Sequence, residues 1–90
     1  MLTWDENKRQ INIKNHGIDF ANCSTIFDTP LITKEDDRES YGEQRLQSLA
    51  MLGDRVVFMV WVERLHGPHL ISIREATKYE RRYYFDNLGF

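Results

Sequence analysis

Glu43, Arg45, Arg64, Ser72 and Arg74 are the side chains whose types and spacing could do chemistry together. A carboxylate can take and return a proton, and clustered guanidinium groups can stabilise charge that builds on oxygen. That combination suits the opening of a phosphodiester. In RNA the adjacent 2′-hydroxyl is the nucleophile, so such a set needs neither metal nor cofactor. Lys78 and Arg81 could extend the cationic surface. By periodicity alone the plainer alternative is a cross-strand Glu43–Arg64 ion pair on a solvated face, and surface pairs of that kind are common and worth little.

Other chemistries find less support. His16, His66 and His69 are scattered, and no carboxylate stands at a ligand-like spacing from them, so no metal site is expected. His66 and His69 flank Gly67-Pro68 and read as loop residues, while His16 reads as a residue at a helix end. Cys23 is the one cysteine, which rules out an intrachain disulfide and a thiolate zinc site. Ser72 lacks a base and an orienting group at a recognisable spacing, so a serine hydrolase is not supported. No nucleotide loop or cofactor motif is present.

The elements that must position the cluster follow from turn signals. Gly53-Asp54 is a two-residue hairpin signal between runs 44–52 and 55–64. If Leu52 pairs with Arg55, Glu43 comes opposite Arg64 and Arg45 opposite Val62. Alternation then puts Glu43, Arg45, Gln47 and Arg64 on one face. Ser72 and Arg74 join them only if the next strand, read as 70–74 after a break at Gly67-Pro68, pairs even residues beside even ones. A one-residue slip would turn them away. Residues 56–62 are apolar throughout, as a central strand covered on both faces should be.

Upstream, Asp5 is a helix N-cap and Gly17 the left-handed residue after that helix. A second helix is predicted after Asp19, with Phe20, Cys23, Ile26 and Phe27 facing inward and Pro30 as its stop. A closing helix over 75–85 is predicted, with Ala76, Tyr79 and Tyr83 as its buried stripe and Tyr84 and Phe85 open. The order is α+β: two N-terminal helices, an antiparallel sheet of three to four strands, and a C-terminal helix.

Ninety residues suit one domain, 1–90, with a small core and a thin stability margin. The chain has 41% hydrophobic and 29% charged residues, a globular balance. No apolar run approaches the roughly 18 residues of a membrane span, and the opening Trp4-Asp5-Glu6 is unlike a signal region. A cytoplasmic protein is expected. Net charge is −2, yet residues 28–43 hold six acids against two bases and residues 74–82 hold four bases against two acids. Local fields decide where a polyanion lands, so the acidic total leaves room for a basic site.

Trp4-Asp5-Glu6-Asn7-Lys8, Asn12, His16-Gly17-Ile18-Asp19-Phe20, Phe27-Asp28-Thr29-Pro30, Glu43-x-Arg45, Glu63-Arg64, Ser72-x-Arg74-x-Ala76-Thr77 and Glu80-Arg81-Arg82-x-Tyr84 resemble, in order, the motifs of the BrnT toxin family. Asn15, Ile73 and Glu75 depart from the family's usual lysine, alanine and lysine. The resemblance implies a RelE-like fold and a metal-independent endoribonuclease without cofactor that restrains growth. Among its site residues it implies Arg64, Arg74, Glu43 and Arg45 in catalysis, and Lys8, His16, Ser72, Lys78 and Arg81 in RNA binding. It also implies a BrnA-like antitoxin, bound in a 2:2 complex that reads operator DNA through the antitoxin alone. The alternative of another class is a catalytically degenerate module that binds antitoxin or RNA.

Overall fold

The hairpin around Gly53-Asp54 lies at the centre of the molecule. In the computed structural model, which describes residues 1–88, β3 (Arg45–Leu52) and β4 (Arg55–Arg64) pair antiparallel from Leu52↔Arg55 to Leu46↔Trp61. β4 is the middle strand of a five-stranded sheet, which accounts for its unbroken apolar run. On one side of this pair lies β2 (Ile32–Asp36), antiparallel to β3. On the other lies β5 (Gly67–Glu75), antiparallel to β4, and then β1 (Thr3–Trp4), parallel to β5. The sheet order is β1-β5-β4-β3-β2. Five strands replace the expected three to four, because two residues near the amino terminus add a short parallel edge.

Gly67-Pro68 does not break the chain. The turn is Leu65-His66, and Arg64 pairs with Gly67 across it. Proline is tolerated here because it sits at the start of a strand, where its missing N–H can face away from β4. Gly67 has φ +128, and a Cβ there would stand 2.6 Å from backbone atoms of Met1, so no other residue fits. Further along, Val60 pairs with Ser72 while Trp61 pairs with Leu70, so Ile71 is an extra residue in β5. This bulge turns Leu70 and Ile73 to the same side, and both are fully buried there.

α1 (Glu6–His16) is the one N-terminal α-helix among the described residues. The Asp5 side chain accepts from the N–H of Lys8, and Gly17 closes the helix at φ +68 with its N–H on the Ile13 carbonyl. The predicted second helix is instead two single 3₁₀ turns, Phe20–Asn22 and Ile26–Asp28. Its buried residues Phe20, Cys23 and Ile26 recur every three positions, the 3₁₀ period, and the polar, β-branched stretch between them favours turns. These residues pack with Ile18 on one sheet face against Ala50, Val57, Met59, Leu70 and Ile73.

α2 (Lys78–Asp86) covers part of the other face. It starts three residues later than predicted, since β5 runs through Glu75 and Thr77 is the cap. Thr77 and Glu80 form a reciprocal capping box. That start sets the helix phase. Ala76 is buried as expected, but Tyr84 is buried with it against Leu49 and Val56, whereas Tyr79 and Tyr83 are 82% and 54% exposed, so the tyrosines are exchanged relative to the expected stripe. The Tyr84 hydroxyl donates to the Pro30 carbonyl at 2.7 Å. No described helix is long and apolar enough to cross a membrane.

Candidate active site on the open sheet face

Alternation along β3 and β4 brings Arg45, Gln47, Leu49, Phe58, Val60, Val62 and Arg64 to the face that α2 partly covers. Val60↔Ser72 and Phe58↔Arg74 keep even residues beside even ones, so Ser72 and Arg74 share that face with Arg64. The apolar positions under α2 form the second core cluster. Away from α2 polar side chains surround the buried Val60 and Val62.

At that polar end, Arg64 Nη2 donates to Glu43 Oε1 at 3.2 Å, and both side chains are well exposed. Arg45 stands beside Asp36 of β2. Its guanidinium lies 4.0 Å over the Tyr41 ring, its Nε is buried without a hydrogen-bond partner, and no carboxylate pairs with it among the described residues. Asp36 is held elsewhere. Arg38 grips it through two bonds of 2.7 and 2.8 Å, and the hydrogen bonds from Arg38 hold the Asp36 carboxyl well below the usual carboxylate range. Arg45 is therefore a stacked cation with donors to spare.

Arg74 does not join this group. It pairs with Phe58, six positions from Arg64 along β4, a separation on the order of 20 Å. Its guanidinium donates to both Glu80 oxygens at 2.7 and 2.9 Å and lies 4.3 Å over the Phe58 ring. The hydrogen bonds from Arg74 lower the Glu80 carboxyl to about 2. The pair ties α2 to β5. Lys78 and Arg81 are exposed on that same helix, with Arg74 rather than with Arg64.

Lys8 and His16 are exposed on α1, one turn on either side of Asn12. Asn12 is buried, and its amide imitates a strand. Its Oδ1 accepts from the Ile73 N–H at 3.0 Å, while Nδ2 donates to the Ile73 and Ile18 carbonyls at 2.9 Å each. It thus covers the stretch of β5 edge that β1 is too short to reach.

The polar end also holds His69 and Thr3, which the sequence did not assign to the site. His69 lies in β5 opposite Val62, and its Nδ1 is 2.8 Å from Thr3 Oγ1. Reading Gly67-Pro68 as a break put His69 in a loop; only the register and the parallel β1 place it. Cys23 is fully buried with its thiol pushed up to about 11 by desolvation, which leaves it unreactive. Among the described residues no three His, Cys, Asp or Glu side chains come together as a metal-holding group. An open groove of about 500 Å³ runs between α2 and the sheet, floored by Ile32, Leu49 and Phe58 and flanked by Tyr79 and Tyr83.

A family profile described as "Ribonuclease toxin, BrnT, of type II toxin-antitoxin system" matches residues 4–80. Among solved structures, the chain is similar to the crystal structure of the Brucella abortus ribonuclease toxin, BrnT. The identity is 25% and the TM-score 0.63, over 86% of this chain and 96% of that one. A comparison with curated proteins finds no match.

Proposed function

The chain belongs to the BrnT family of ribonuclease toxins of type II toxin–antitoxin systems, and on that premise we propose that it is an endoribonuclease that opens RNA without a metal ion at the polar end of the sheet face. Arg45 carries the reading. It is a stacked guanidinium without a carboxylate partner among the described residues, on the same face as Arg64. A phosphodiester supplies the anion that Arg45 lacks, and a planar guanidinium can grip two of its oxygens.

The ribose 2′-hydroxyl attacks phosphorus, and the charge that gathers on the phosphorane oxygens falls between Arg45 and Arg64. Glu43 keeps Arg64 turned toward the face. Ser72 and Gln47 offer neutral donors there, and Arg74 acts from a distance by holding α2. Lys8, Lys78 and Arg81 bind flanking phosphates as exposed cations, and the exposed His16 offers a ring N–H to one of them. Family membership supports the rest of the reading: a RelE-like variant fold, a cytoplasmic site of action, and inhibition by a BrnA-like antitoxin in a 2:2 complex that contacts DNA through the antitoxin.

One observation favours a second reading, a catalytically degenerate module that binds antitoxin or RNA. Arg64 and Arg74 already have carboxylate partners, which neutralise much of the face. Purified protein incubated with single-stranded RNA in EDTA separates the two. Cleavage that chelation leaves intact is expected. Intact RNA at confirmed folded protein would put the binding module ahead, and activity lost in EDTA but restored by a divalent ion would overturn the metal-free route. Co-expression with the product of the adjacent gene should yield a co-purifying complex that melts above the free toxin.

A further inference from the structure

We propose that His69 is the proton-transfer residue of this site and that Thr3 orients it, an inference that rests on reading the chain as an RNA-cleaving toxin. The sheet places the pieces in one row. Asp36 pairs with Arg45, continuing the β3–β4 register by one residue sets Arg45 beside Val62, Val62 pairs with His69, and His69 pairs with Thr3. Strands lie about 4.8 Å apart, so Arg45 and His69 rise from the sheet roughly 10 Å apart. Val62, 4% exposed, is the apolar floor between them. Arg64 is two positions further along β4. A phosphate over Val62 would meet a cation on two sides and an imidazole on the third.

The ring is pre-positioned. In the tautomer whose Nδ1–H donates to Thr3 Oγ1, the other nitrogen, Nε2, is a proton acceptor. No hydrogen bond to Nε2 occurs among the described residues. His69 removes the proton from the 2′-hydroxyl as that oxygen bonds to phosphorus. The P–O5′ bond breaks, its electron pair stays on the 5′-oxygen, and water protonates that oxygen. The proton on His69 then passes to solvent. The products are a 2′,3′-cyclic phosphate and a 5′-hydroxyl.

The charged groups around His69 are Arg64 from β4, Glu43 from the loop before β3, and Asp5 at the start of α1. Burial and Arg64 lower its pKa below the ordinary 6.5, against the opposing pull of Glu43 and Asp5. The neutral base form therefore prevails at neutral pH, and the rate should fall as pH drops through that titration.

Single-turnover cleavage of a defined RNA by the purified toxin tests the assignment. His69→Gln should lower the rate about 10²-fold or more at neutral pH and remove the acidic limb of the pH profile. Thr3→Val should lower kcat with KM unchanged and shift the midpoint of that limb, whereas His66→Gln, in the exposed turn, should do neither. Wild-type cleavage with an unaffected His69→Gln variant would overturn the role of His69 and leave the toxin reading standing. No cleavage by the wild type would overturn both. Should His69→Gln fail to fold, the wild-type profile decides alone: a limb with a midpoint below 6.5 supports the assignment, and a limb with a midpoint above 6.5, or none down to the pH at which the toxin unfolds, overturns it.

Discussion

Arg45, Arg64 and Arg74 carry the same side chain to the same sheet face, yet their surroundings give them different work. Arg74 has two short bonds to Glu80 and an aromatic ring beneath it, so its charge is already spent on holding α2. Arg64 has one longer, exposed pair with Glu43, and Arg45 has none. Replacing Arg45 or Arg64 by alanine should therefore lower the cleavage rate about 10²-fold or more with little change in melting temperature. Arg74→Ala should do the opposite, costing about 1 kcal/mol, roughly 4–8 °C in a domain of this size, while most of the rate is kept. Single-turnover kinetics and thermal melts on the same three variants decide it. A slow but fully stable Arg74→Ala would return Arg74 to the site. The residue types were legible in the sequence as a set able to bind phosphate; which of them had a partner was not, because Glu80 reaches Arg74 only after α2 has docked.

At the scale of elements, the unusual join is between α1 and the edge of β5. β1 pairs with only two residues of β5, so beyond Leu70 the edge has no strand beside it. Asn12 fills that role with three buried hydrogen bonds to the main chain. Asn12→Leu keeps much of the volume but leaves the Ile73 N–H and two carbonyls unsatisfied, at a cost of about 3 kcal/mol or more. A Tm lowered by less than roughly 5 °C would mean that water replaces the amide at little cost. The ends of α1 and the central hairpin turn were readable because they depend on neighbours in sequence: Asp5, Gly17 and Gly53-Asp54 stand where expected, whereas the Leu65-His66 turn and the Thr77 cap were missed. The 3₁₀ turns, the Ile71 bulge and the phase of α2 were not, since each is settled by what packs against it. Tyr79 and Tyr84 are the same residue type. The Thr77–Glu80 capping box rotates one out and the other in.

For the molecule as a whole, charge ties the segments together. Arg9 of α1 grips Asp19 through bonds of 2.7 and 2.9 Å, Arg38 grips Asp36, and Arg74 grips Glu80. Hydrogen bonds from these arginines hold Asp19 at about 2 against an ordinary 3.8, and Glu80 at about 2 against an ordinary 4.5. Depressed carboxylate pKa values stabilise the fold above the unfolded values and lose that contribution as pH falls through the folded ones. The Tm should thus be level from about pH 7 to 5 and decline between about pH 4.5 and 2. Melting curves that stay level down to about pH 2.5 would show that these pairs do not hold in solution.

The sequence by itself determined what depends on order and local contact: an α+β domain, a central hairpin with its register, the helix ends of α1, and a family resemblance spread along nearly the whole chain. Alternation is a property of any strand, so Glu43 beside Arg64 and Arg45 on their face could be derived before any coordinate. Tertiary structure alone decided what depends on distant partners. The parallel β1 strand, the extra residue at Ile71 and the docking of α2 join positions far apart in sequence, and local propensity carries no record of them. Those three features place Thr3 against His69, turn Ser72 and Arg74 to the polar face, and give Arg74 to Glu80 while leaving Arg45 open.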